Sequence, residues 1–306
     1  MKASIVIAAA LSVILSGSCN RDVFTDGPIL PDHTEVTING DGGEATFETS
    51  FKDLQSIKFQ LSGWMVDVVY TCFDRSGKEI SLSAPLSEVY RMVAQTPFSK
   101  LEIFLEGKRI LVKSISNALS DNLKWNIQLE YSYCYKTIDV SATPGAPLML
   151  LDVSFGSIFS LADKPATERL RIENRSDRPL ATVFYPYLNQ QPTVDVSPKD
   201  APWLTGSVIE MPVPVCNEYG EWTLSGKTEV KLGYPSSYDG PDPWTEVKMT
   251  IPPEFSGIAL TTVNKATAET SGILTYFNER LDLKIDIPFN CLASYPISYS
   301  IDLIPD

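Results

Sequence analysis

Alternation of apolar and polar residues is the dominant pattern along this chain. Ile57, Phe59 and Leu61 alternate with Lys58 and Gln60. Trp64, Val66, Val68, Tyr70 and Cys72 share one parity, and Trp125, Ile127, Leu129, Tyr131, Tyr133 and Tyr135 form a longer stripe. Val247, Met249 and Ile251 alternate with Glu246, Lys248 and Thr250. Leu281, Leu283, Ile285, Ile287, Phe289 and Cys291 alternate with Asp282, Lys284 and Asp286, and Ile297, Tyr299, Ile301 and Leu303 with Ser298, Ser300 and Asp302. A period of two puts one face of each strand in a core and the other in water, as antiparallel sheets require. Turn signals punctuate the runs at Gly42-Gly43, Gly77, Gly107, Gly220 and Gly226, where glycine supplies positive φ without a clash. Helical spacing is confined to Leu86, Val89, Tyr90 and Val93 after Pro85, which predicts one short helix.

These elements predict an all-β protein of two antiparallel β-sandwich, Ig-like domains. The small, proline-rich, uncharged stretch 141–147 separates a domain at 34–140 from one at 148–306. A second proline-rich stretch, 189–202, is a long loop within the later domain, because splitting there leaves under ~45 residues for a core.

The first residues follow a different pattern. Lys2 precedes a 13-residue apolar run, residues 3–15, and then Ser16-Gly17-Ser18-Cys19. The run is short for a membrane span, which needs about 20 residues. A charged start, a short apolar stretch and small residues make a secretory signal at 1–18. Leu15-Ser16-Gly17-Ser18-Cys19 resembles the lipobox of bacterial lipoproteins, with leucine one place earlier than usual, a looseness similar to lipoboxes of Bacteroidota. The resemblance implies cleavage before Cys19 and a lipid on that cysteine as the membrane contact. Asn20, where the family's inner-membrane proteins often carry aspartate, implies an outer-membrane or cell-surface address. Residues 20–33, rich in Asp, Pro and Gly, read as a flexible tether completing segment 19–33, with His33, the only histidine, at its end.

Charge and composition mainly exclude. The formal net charge is −13; without Lys2 the mature chain has 24 basic against 38 acidic side chains, or −14. That argues against a nucleic-acid partner and against lying flat on anionic lipid. A serine triad and most cysteine nucleophile pairs need a histidine base, and the one histidine, His33, reads as tether and so is not held against a nucleophile, while the count alone excludes histidine-rich zinc sites. The chain has no Gly-x-Ser-x-Gly, Ser-x-x-Lys, Cys-x-x-Cys, P-loop or Gly-x-Gly-x-x-Gly, and no cofactor is expected. Asp41-Gly42-Gly43-Glu44, and Asp239 with Asp242, read as turns and not as calcium loops, so no metal is expected either. Cys72, Cys134, Cys216 and Cys291 are candidate disulfide partners, 72 with 134 and 216 with 291, against the alternative of buried thiols.

The segment 234–244 stands out as an exposed loop between strand patterns. Its Tyr234, Tyr238, Asp239, Asp242 and Trp244 suit a sugar site: rings pack on C–H faces and carboxylates accept hydroxyl protons. The same residues could cover the open end of a sandwich. Tyr185-Pro186-Tyr187 and Trp203 form a second, weaker candidate. The overall plan resembles two-domain surface lipoproteins of Bacteroidota. The expectation is a non-enzymatic, lipid-anchored envelope protein for binding or adhesion, with a glycan or a protein as ligand. The alternatives are a pilin-like subunit donating the strand 297–303, and a glycoside hydrolase built on two carboxylates.

Overall fold

A computed structural model of the protein describes residues 30–49, 54–63 and 66–306. The signal segment, Cys19, residues 20–29 and Trp64 lie outside the described residues. The described chain is all-β: twenty strands and one short 3-10 turn, without an α-helix. It divides into two compact units, Met1–Leu148 with Asn278–Leu283, and Met149–Phe277 with Lys284–Asp306.

The first unit holds β1 (His33–Ile38), β2 (Glu44–Glu48), β3 (Leu54–Leu61), β4 (Val69–Phe73), β5 (Glu79–Ile80), β6 (Arg91–Gln95), β7 (Ser99–Glu106), β8 (Arg109–Asn117), β9 (Leu123–Tyr131) and β10 (Tyr135–Ala142). They form two sheets, in the orders β1-β10-β9-β3 and β2-β8-β7-β6-β4-β5. All pairings are antiparallel except β1 with β10, which is parallel. No hairpin joins those two strands, so the antiparallel geometry a tight turn imposes does not apply. In β9 the alternation holds strictly: Leu123, Trp125, Ile127 and Leu129 are fully buried, while Lys124, Asn126, Gln128 and Glu130 face outward. Leu101, Ile103, Ile110 and Val112 bury an equally apolar face of the other sheet. Burying each such side chain stabilises the unit by about 1.5–3 kcal/mol. Phe59 of one sheet meets Tyr70 of the other edge-on, with ring centroids 5.0 Å apart.

Asn117 ties the end of this unit together. Fully buried, it donates to the carbonyls of Asp121, Ala142 and Thr143 at 3.0, 2.9 and 3.1 Å and accepts from the Leu119 N–H at 3.2 Å. Gly145 packs nearby against the Asp41 carboxylate, which a Cβ there would have to push aside, since it would meet Oδ1 at 2.1 Å.

Several expectations change here. Residues 85–93 form no helix; short turns lead directly into β6. Strand pairing on both sides of β6 outcompetes a helix of one or two turns, which is marginal on its own. The expected strand from Trp64 to Cys72 begins only at Val69. The tyrosine stripe breaks at the β9–β10 turn, leaving Tyr131 buried while Tyr133 and Tyr135 are exposed. The end of the expected tether belongs to the fold: Leu30 is buried, Asp32 pairs with Lys136, and His33 opens β1. The four described cysteines carry no disulfide; Cys72, Cys216 and Cys291 are buried thiols and Cys134 is exposed in the β9–β10 turn. The buried three sit on core-facing positions, where they act as small apolar groups.

The second unit holds β11 (Met149–Phe155), β12 (Phe159–Glu173), β13 (Leu180–Phe184), β14 (Thr193–Pro198), the 3-10 turn Pro202–Leu204, β15 (Val208–Cys216), β16 (Trp222–Lys231), β17 (Ser236–Ser237), β18 (Val247–Ile251), β19 (Ser256–Asn278) and β20 (Leu283–Pro305). The main sheet runs β11-β19-β20-β14-β17, and β12 lies along β19 directly after β11. β19 and β20 have 23 residues each, about 75 Å of extended chain at ~3.3 Å per residue. Near one end, the pair β13–β18 closes a small cluster of Ile172, Phe184, Ile251 and Ala259, with Met249, Ile301 and Leu303 against it. Elsewhere Val194, Val196, Met211, Val213, Leu232, Phe289 and Cys291 are buried. The turn expected at Ser225-Gly226 is instead a bulge within β16, opposite the register shift between Met211 and Val213, and Gly226 takes φ +54° there.

Candidate functional site

The register of β13 on β18 builds the aromatic site. Phe184 pairs with Val247, so the chain leaving β13 and the chain entering β18 run side by side. Tyr185 follows β13 directly and Trp244 stands three residues before β18. Their rings meet edge to face, centroids 5.8 Å apart at 80°. Trp244 is 64% exposed and Tyr185 37%. An edge-to-face pair holds two rings at a fixed angle and leaves an apolar ring face toward water. Asp242 sets the turn: its Oδ1 accepts the Trp244 N–H at 2.9 Å, and its carbonyl accepts from the Thr245 N–H and hydroxyl at 3.0 and 2.7 Å. Asp239, earlier in the same loop, is exposed.

The first half of the loop has a different role. Tyr238 is 6% exposed and its hydroxyl donates to the Pro214 carbonyl at 2.6 Å. Burial, with Tyr295 beside it, pushes its phenol well above the ordinary range. Gly240 lies so close to Pro192 that a Cβ would meet its ring at 2.2 Å. Tyr234 is half exposed under the ammonium of Lys231, 4.7 Å from its ring centroid. Of the five residues the sequence singled out, Tyr238 therefore leaves the surface patch and becomes core, because a phenol with a carbonyl partner can be buried without losing a hydrogen bond. Asp242 and Trp244 remain together, and Tyr185, flagged separately in the sequence, joins them. Its companion Tyr187 is buried against Tyr299 at 5.4 Å.

Two features were not legible as sites. The first unit has a cleft of about 860 Å³ lined by Leu54, Asp74, Arg75, Leu86, Glu88 and Leu105, among others. Part of its wall is the segment read as a helix. Asp74 is engaged by its own turn, accepting from Ser76 N–H and hydroxyl and from Lys78 N–H at 2.8, 2.6 and 3.0 Å. Those bonds, the Ser76 hydroxyl first, hold its carboxyl below the usual range. Secondly, His33, Glu35 and Asp139 gather on the outer face of β1 and β10. The pattern His33-x-Glu35 on one strand face was the signal available for this group.

No family model matches the chain, and no curated protein matches it. Among solved structures it is similar to a lamprey immune protein, at 11% identity over 88% of this chain and 97% of that one, with a TM-score of 0.33. It is also similar to an aerolysin-like protein of Bombina maxima, at 13% identity over 51% of this chain and 98% of that one, with a TM-score of 0.26.

Proposed function

We propose that this is a lipid-anchored envelope protein that binds carbohydrate, without catalysis, through Trp244 and Tyr185. The observation that carries the reading is the exposed edge-to-face pair with Asp242 fixed in the same turn. A tryptophan left 64% exposed, beside strands whose other side chains are packed in a core, is a surface available to a partner. A pyranose ring offers that surface its C–H face, and the nearby carboxylates of Asp239 and Asp242 accept hydroxyl protons. The anchor is the lipid on Cys19 implied by the lipobox resemblance.

A glycan-array screen of the purified protein beside Trp244→Ala tests the site. Binding should fall by about tenfold or more, equivalent to ~1.4 kcal/mol. The variant should melt with the parent, since replacing an exposed side chain changes stability by about 0.5 kcal/mol or less. Equal binding by parent and variant would remove the site. Metabolic labelling with a radioactive fatty acid, compared with Cys19→Ala, tests the anchor.

The pilin-like alternative has one observation behind it: β11 and β12 follow each other along the same side of β19 as a long sheet edge, the geometry that accepts an added strand. Against donation of 297–303, that segment is the interior of β20, and Arg171 clasps the side-chain carboxylate of Asp306 through Nη1 and Nη2.

A further inference from the structure

We propose that His33, Glu35 and Asp139 form a binding site for a zinc-class divalent ion that straps β1 to β10. The inference is independent of the carbohydrate reading.

The parallel register places Glu35 beside Asp139, and the antiparallel register places Asp139 beside Asn126, so the three lie in one row across three strands. His33 is two residues from Glu35 on the same face. His33 Nε2 lies 3.2 Å from Glu35 Oε1 and 3.9 Å from Asp139 Oδ2, and the three donor atoms all fall within 4.8 Å of one another. Tetrahedral zinc, with bonds of about 2.0–2.2 Å, spaces its ligand atoms about 3.3–3.5 Å apart. The first pair is already close to that spacing, and the second closes with a small rotation of the exposed His33 ring toward the fixed Asp139.

Two further features make this more than a group of surface charges. Asp139 is held in place: Asn126 Nδ2 donates to its Oδ1 at 2.6 Å, which leaves Oδ2 turned toward the imidazole. Orientation of a ligand carboxylate by such an outer hydrogen bond is what metal sites use. A cation also already occupies the focus, since Lys124 Nζ lies 2.9 Å from Asp139 Oδ2 and 3.9 Å from Glu35 Oε1. A metal must displace that ammonium, so Lys124 is a built-in competitor. One imidazole and two carboxylates favour zinc and its neighbours over calcium, which takes six or more oxygens. The ion would join the first residue of β1 to a strand whose other neighbour is β9, and so fix the edge strand β1.

The chain has a single histidine, so its ring signals report on this site alone. The full-length protein carrying Cys134→Ser, to remove the exposed thiol among the described residues as a rival ligand, is freed of metal and titrated with zinc chloride. Imidazole ¹H–¹⁵N signals and competition with a chromophoric chelator are followed together. One zinc per chain should bind, with the His33 ring signals moving in step. His33→Gln should weaken binding by more than about tenfold, because even an outer partner is worth that much in such sites. Lys124→Met should tighten it by about two- to fivefold, the scale of an exposed charge pair. This gain of binding separates a true site from damage to the fold. Ring signals unmoved at millimolar zinc, equal binding by His33→Gln, or calcium binding the group as tightly as zinc would each overturn the proposal.

Discussion

The first unit buries apolar side chains from both of its sheets, Leu101, Ile103, Ile110, Trp125 and Ile127 among them, whereas in the second a small cluster around Ile172, Phe184, Ile251 and Ala259 packs beside two 23-residue strands. Each nonetheless uses a buried asparagine in the same way. Asn117 donates to three backbone carbonyls where the first unit ends. Asn174, 4% exposed, donates to the carbonyls of Arg178, Ile251 and Pro252 at 2.9, 3.3 and 2.8 Å, where β12 turns toward β13. Both accept from an N–H two residues on. An amide can satisfy several carbonyls that strand ends leave without ladder partners. The comparison teaches that polar clamps are needed wherever a chain leaves a sheet under cover, whatever the size of the core. It also shows Asn174 engaged inside the fold, although Asn174-Arg175-Ser176 has the form of a glycosylation sequon.

The largest expected contrast lies in the cores. Trp125→Ala should destabilise the first unit by about 3–5 kcal/mol, a large aromatic lost from a rigid core. Ile251→Ala, in the small cluster of the second unit, should fall near the lower end of about 2–5 kcal/mol because its surroundings can collapse. Urea unfolding of both variants checks this, and equal losses would mean the second unit is packed as rigidly as the first.

Next come the clamps. Asn117→Ala and Asn174→Ala should each cost about 1–3 kcal/mol by leaving buried carbonyls unpaired. A clear difference between the two would mean that the asparagines do not clamp their units in the same way. Thermal melts of both variants decide it.

Acid should separate the units further. In the first, Asp32, Asp74, Glu130 and Asp139 all titrate below their ordinary range, chiefly through hydrogen bonds from Lys136, Ser76, Lys58 and, for Asp139 against the opposing effect of its burial, Lys124. In the second, among the described residues, Asp306 does so, through Arg171. A carboxyl whose folded value is depressed contributes stability that is complete above its unfolded value, near pH ~4, and is lost as pH falls through the folded value. Amide NMR signals from residues 30–148 should therefore lose dispersion at a higher pH than those from residues 149–277.

The smallest perturbation is thiol labelling. Cys134 should react with a maleimide in the folded protein, while Cys72, Cys216 and Cys291, all 3% exposed or less, should react only after unfolding. Burial, with Asp195 nearby, pushes the Cys291 thiol up to about 12, which further suppresses its thiolate. Mass spectrometry after a timed pulse reads the result directly.

Some of this was legible in the chain and some was not. The stripes 123–131 and 285–291 are strands with the expected faces buried, because strict alternation leaves a strand one favourable orientation. Leu86, Val89, Tyr90 and Val93 have helical spacing, yet β6 forms because sheet neighbours far along the chain supply its hydrogen bonds. Trp244 and Tyr185 were singled out in separate candidates, but their meeting was not legible, because the two rings come together only through the pairing of β13 with β18. His33 was placed in a tether because the parallel pairing of β1 with β10 has no turn to announce it.

The sequence by itself determined the strand content, most of the turn glycines, the side chains of the first core and the presence of a single histidine. Those properties depend on local backbone preference and on the periodicity of burial, both of which are written within a few residues. The tertiary structure alone decided which strands pair, that Tyr238 is core and Trp244 surface, and that His33 meets Asp139. Each of these joins positions whose separation along the chain carries no local signal, and is selected by the free energy of the whole packed unit.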